Sequence, residues 1–80
     1  MSAAMDSGTS KIRIFVRLLE EGTEVFRPTN ATNLGNGLFK ILPTPNYDAK
    51  DELWEFPPGS VVRGENRLDD SGEYFVAIKP

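Results

Sequence analysis

Between residues 11 and 19 every second side chain is apolar: Ile12, Ile14, Val16 and Leu18 fall on one side, Lys11, Arg13, Phe15 and Arg17 on the other. A period of two is the signature of a β-strand with one face in a core and the other toward solvent. Such a strand cannot stand alone; its apolar face needs further strands to cover it.

The remainder of the chain supplies them. Glu21-Gly22 is a turn signal, and residues 23 to 27 carry Thr23, Val25 and Phe26, suited to a second strand that Pro28 interrupts. Residues 30 to 34 resume after the bend, as the strand of a barrel does. Asn36-Gly37, set between Leu34 and the apolar run that starts at Leu38, is the pair favoured in type I′ hairpins. Residues 43 to 52 hold two prolines and three acids with no apolar period, and they exceed the usual connection of about 4 to 6 residues. They are expected to form an exposed loop in which Asp48 caps one helical turn through Asp51 and Glu52. Trp54 and Phe56 share a face of a short strand, Pro57-Pro58-Gly59 forces a turn, and Ser60, Val61, Val62 and Arg63 start another strand. After a polar turn at Asp69 to Gly72, residues 73 to 79 alternate again, with Tyr74, Val76 and Ile78 on one face.

Five or six short strands without an amphipathic helix give an all-β domain, and 80 residues favour a small, partly open barrel over a sandwich. Its expected interior is Ile14, Val16, Val25, Ile41, Trp54, Val62 and Val76. Residues 11 to 80 make one domain; residues 1 to 10, small and polar, are expected to be a disordered tail.

A chain this short buries only about 60% of its unfolded surface, and small secreted domains often compensate with disulfides. The absence of cysteine excludes that device and any thiolate metal site, which points to a reducing compartment, the cytoplasm. The first ten residues lack the basic start and apolar stretch of an export signal. The most apolar run is broken by Arg13 and Arg17 and falls well short of the roughly 20 residues that cross a bilayer, so a soluble protein without membrane contact is expected. Asn30-Ala31-Thr32 matches the glycosylation acceptor pattern, which without export is a coincidence.

Two strings, VRLLEEGTEVFRP and LWEFPPGSVVRGE, resemble a group of short, uncharacterised bacterial proteins in which an E-G-T-x-V-aromatic-R-P segment and a W-E-F-x-P-G-x-x-V-R segment follow an opening strand. The similarity runs over residues 12 to 78. It implies a bacterial origin and an SH3-like or related barrel, and brings no activity to individual residues. OB-like barrels share this size and strand count and are the alternative. The paired tryptophans and ALYDY-like segment of peptide-binding SH3 domains are absent, as is the aromatic RNA-binding motif of cold-shock proteins.

Without histidine or cysteine the usual general base, thiol nucleophile and transition-metal ligands are missing. Carboxylates remain at Glu20 and Glu21, at Asp48, Asp51 and Glu52, and at Asp69 and Asp70, all in turn or loop positions where acids are ordinary solvated charge. The stretch from residue 48 to 52 has neither the spacing nor the glycine of a calcium loop. A non-catalytic role with no metal or cofactor is expected: a protein-interaction module or small structural subunit with an unidentified protein partner. Tyr47, Trp54 and Phe56, beside the prolines, are the candidate peptide-groove residues, although a lone tryptophan in so small a barrel more often centres the core. The alternative is weak single-stranded nucleic-acid binding by Lys11, Arg13, Phe15 and Arg17, basic groups around an aromatic on one strand face. A net charge of −3 opposes it. Pairing of these cations with Glu24, Glu65 or Glu73 across the sheet would remove it altogether.

Overall fold

The computed structural model describes residues 11 to 80; the expectation of a disordered tail over residues 1 to 10 lies outside them. Among the described residues there are five strands and no helix: β1 (Lys11–Arg17), β2 (Phe26–Gly35), β3 (Leu38–Ile41), β4 (Val61–Asp69) and β5 (Gly72–Ile78). Consecutive strands pair antiparallel, and β5 meets β1 in parallel at Phe15 opposite Val76, which closes the sheet into a barrel. The small all-β barrel expected from the sequence is therefore present, with five strands and a closed seam in place of a partly open one. Each strand neighbours its predecessor, an order unlike the Greek-key connection of an OB-type barrel.

The interior follows from the register. Ile14 faces Thr29, Ile12 faces Ala31, Ala31 faces Ile41, Phe39 faces Val62 and Gly64 faces Ala77. Opposed residues share a face, so these rows converge on one core. Ile14, Val16, Ala31, Ile41 and Val62 are essentially sealed from solvent. Burying an aliphatic side chain of this size is worth about 1.5–3 kcal/mol. The inward row of β5 is Phe75 and Ala77. Val76 is buried as well, but on the outer side of the sheet opposite Phe15 rather than in the interior cluster as expected. Both rows of β5 are apolar, so alternation alone leaves its facing undetermined.

Two turns show the sequence setting the backbone. Gly35 pairs with Leu38 around Asn36-Gly37, whose φ values of 57° and 78° are those of a type I′ hairpin. A register shift between Asn33 and Gly35 leaves Leu34 as the extra residue of a bulge. β2 runs straight through Pro28, where an interruption was expected. The Val25 carbonyl accepts the Leu18 N–H on the β1 side, and the Asn30 carbonyl accepts the Leu42 N–H on the β3 side. Backbone groups alternate along a strand, so Pro28 points the same way as Asn30. Its missing donor thus faces past Ile41, the last residue of β3, and no ladder bond is lost. Residues 23 to 25, read as strand, lie before β2, and the chain bends at residues 19–20, where Glu20 takes a φ of 63°, as well as at residues 22–23 beside the expected Glu21-Gly22 turn.

Gly64 is the point of closest approach in the barrel wall. A Cβ there would lie 2.9 Å from Phe39 Cε2 and 3.4 Å from Phe75 Cδ1, and the two rings pack with centroids 6.1 Å apart. Gly64→Ala is expected to cost about 1–3 kcal/mol by overpacking, read from urea denaturation. Gly22→Ala, where nothing lies within 4 Å of the new methyl, serves as the control and is expected to stay within about 0.5 kcal/mol of wild type.

Candidate binding surface

The long connection from β3 to β4 carries the first group of candidates. Its backbone makes one helical turn, with Asp48 O accepting from Asp51 N and Glu52 N at 2.9 and 3.0 Å and Asp48 Oδ1 accepting from Lys50 N at 2.8 Å. This is the single capped turn anticipated at Asp48. The chain then crosses the end of β1, where Leu19 N donates to Leu53 O (2.7 Å) and Glu55 N donates to Arg17 O (2.8 Å). Leu18 and Trp54 form an isolated bridge, and Phe56 lies in a bend, so the expected strand through Trp54 and Phe56 reduces to one bridge.

That bridge places Trp54 inward. It is 4% exposed, sits in the core cluster with Leu18 and Val16, and stacks edge-on against Tyr47 at 4.8 Å between centroids. Its indole N–H donates to Glu52 Oε1 at 2.8 Å. Glu52 in turn receives Arg27, whose Nε donates to Oε1 at 3.2 Å and whose Nη2 donates to Oε2. Arg27 belongs to the inward row of β2, opposite Val16, so this charged pair stands at the mouth of the barrel and ties the loop across it. Tyr47 and Phe56 are partly buried against the same cluster. The three residues are thus together, as a corner of the core, and Trp54 offers almost no surface to a ligand.

The second group lies on the opposite side of the sheet. Lys11, Arg13 and Arg17 are exposed, and Phe15 is partly buried between them. Phe15 packs edge-on against Tyr74 at 5.5 Å and 78°. With Phe26 these rings line an open cleft of about 420 Å³, bounded at the β4–β5 turn by Asp69, Ser71, Gly72 and Glu73. Phe26 and Tyr74 escape a reading of the sequence. The first looks like ordinary strand filling, and the second is assigned to the inward face of β5. Pairing of β1 with β2 puts Phe26 near Phe15, and closure of the barrel against β5 adds Tyr74. Among the described residues the ion pairs are Arg27 with Glu52 and Arg67 with Glu65 (2.7 Å), so the cross-strand pairing considered for Arg13 and Arg17 does not occur there. No group of three or more acidic residues is placed to hold a metal ion among the described residues.

The bonds from Arg27 and Trp54 hold the Glu52 carboxyl below its ordinary range near 4.5. A depressed carboxyl stabilises the fold above its unfolded pKa and loses that contribution as pH falls through the folded value. Because both partners are partly exposed, the contribution is about 1 kcal/mol at most. Glu52→Gln is therefore expected to be slightly less stable than wild type at pH 7, with the difference shrinking below about pH 4.5, as followed by denaturation at stepped pH. Trp54→Ala is expected to cost about 3–5 kcal/mol; a loss under about 1 kcal/mol in the same assay would place the indole at the surface.

Comparison with known proteins adds no relative: no protein-family model matches the chain, and neither a curated protein nor a solved structure matches it.

Proposed function

We propose that this chain is a non-catalytic protein-interaction module, or the small subunit of an assembly, and that it meets its protein partner through the outer face of β1, β2 and β5. The observation that carries this reading is the cluster of Phe15, Phe26 and Tyr74 around an open cleft on the outside of the barrel. Aromatic rings held rigidly at a surface are the residues most enriched in protein interfaces, where they bury large area at small entropic cost. The Tyr47, Trp54 and Phe56 corner supports the loop instead. Consecutive strand order favours an SH3-like reading of the barrel. The cysteine-free composition and the motif resemblance favour a bacterial cytoplasm.

A second reading, a weak single-stranded nucleic-acid binder, is favoured by one observation: Arg13 and Arg17 flank Phe15 without a carboxylate partner among the described residues. Stacking one base on an aromatic is worth about 1–3 kcal/mol, which the net charge of −3 works against. The two readings separate by experiment. Oligothymidylate is expected to show negligible anisotropy change at near-physiological salt. Micromolar binding, abolished by Arg13→Glu with Arg17→Glu and weakened by added salt, would establish the nucleic-acid reading. For the leading one, a protein crosslinked to the tagged chain in its own cell is expected to be lost on Phe15→Ser with Tyr74→Ser and kept on Tyr47→Ser. The reverse pattern would return the site to the loop corner.

A further inference from the structure

The outer row of β1 holds three cations and one aromatic, and the register shows what stands opposite each. Lys11 faces Thr32, Arg13 faces Asn30 and Arg17 faces Phe26, while Phe15 faces Pro28 on one side and Val76 across the seam. None of these neighbours is acidic. Carboxylates do border the row: Asp69 and Glu73 line the cleft of Phe15 and Tyr74, and the hydrogen bonds they accept come from neutral donors and leave their charge in place. Asp69 Oδ1 accepts the Ser71 backbone N–H at 2.7 Å, and Glu73 Oε1 accepts the Asn66 amide at 3.2 Å. Glu24 and Glu55 line a cleft with Arg17, yet neither pairs with it within 4 Å. Arg67, the cation on the far side of Tyr74, is neutralised by Glu65. Lys11, Arg13 and Arg17 thus stand without a carboxylate within 4 Å among the described residues, on a protein whose net charge is −3.

The spacing of that row is fixed by strand geometry. Alternate residues on a strand lie about 6.5–7 Å apart, so Arg13 and Arg17 straddle Phe15 with about 13–14 Å between them. An extended peptide has the same repeat, and its own alternate side chains fall in step with the row. We infer that the partner contributes an extended acidic segment in which a large aromatic or apolar residue is flanked, two positions away on each side, by carboxylates. The central side chain enters the cleft of Phe15, Phe26 and Tyr74, and the carboxylates meet the guanidinium forks of Arg13 and Arg17, which suit planar two-point contact. This inference rests on the reading of the outer face as the interaction surface and adds the chemistry of what it takes.

The test uses the full chain, labelled with nitrogen-15, and capped peptides of equal length centred on Glu-Thr-Trp-Thr-Glu, Lys-Thr-Trp-Thr-Lys and Glu-Thr-Ala-Thr-Glu, with oligothymidylate as a fourth probe. The first peptide is expected to shift the amides of Arg13, Phe15, Arg17 and Tyr74 and to bind about tenfold more tightly than the second or third. Arg13→Glu with Arg17→Glu is expected to reverse the preference toward the lysine peptide. Arg13→Gln with Arg17→Gln should merely abolish it, which guards against misfolding of the charge-reversed variant. Shifts confined to these residues but equal for the acidic and basic peptides would sink the acidic-segment inference and leave the surface assignment standing. Shifts elsewhere, near Tyr47 and Phe56, would sink both. Tighter binding of oligothymidylate than of any peptide would assign the row to nucleic acid instead.

Discussion

A single parallel bridge between the first and last strands, Phe15 opposite Val76, joins the two free edges of a five-stranded sheet. Unpaired edges are the main hazard of a small β protein, and closure removes them while letting one compact interior serve every strand. The same bridge decides the outer surface. It brings Tyr74 against Phe15, and the separate pairing of β1 with β2 adds Phe26, opposite Arg17, so that aromatics from three strands gather around one cleft.

The barrel is sealed at its mouth by a different device. The connection between β3 and β4 is held by backbone bonds to the end of β1, by Tyr47 and Phe56 packed on the core, and by Trp54, whose ring fills the core while its N–H reaches Glu52. Glu52 then engages Arg27 on the inward row of β2. A partly exposed ion pair adds little stability by itself; anchored to a buried indole, it fixes where the loop lies. Among the described residues no buried side-chain polar atom lacks a partner, which is what a core of this size requires.

These two devices divide the aromatic residues between structure and surface. Trp54, with Tyr47 and Phe56 beside it, serves the fold. Phe15, Phe26 and Tyr74 stand outside, near cations whose cross-strand neighbours are neutral. Arginines with no ion-pair partner among the described residues coincide there with apolar area, beside the carboxylates of Asp69 and Glu73, and this is the physical basis for proposing that a partner meets that face.

Local patterns in the sequence determined β1, the Asn36-Gly37 hairpin, the capped turn at Asp48 and the all-β class, because period-two alternation and positive-φ turn residues act within a few positions of the chain. The same patterns located the basic row of β1, since Lys11, Arg13 and Arg17 share a face with Phe15 in any strand. Other features needed partners distant in sequence. Pro28 reads as a break until the register shows its missing donor pointing past the end of β3. Residues 54 to 56 read as a strand, although their only strand-like contact is the Leu18 bridge. β5 is apolar on both faces, so its pairing with β4, Ala77 opposite Gly64 and Phe75 opposite Asn66, is what sends Phe75 and Ala77 inward, and closure against β1 then sets Tyr74 beside Phe15. The cleft is a product of pairing: alternation fixes two faces for each strand, and the registers of β2 on β1, of β5 on β4 and of β5 across the seam decide which faces meet the core and which gather outside.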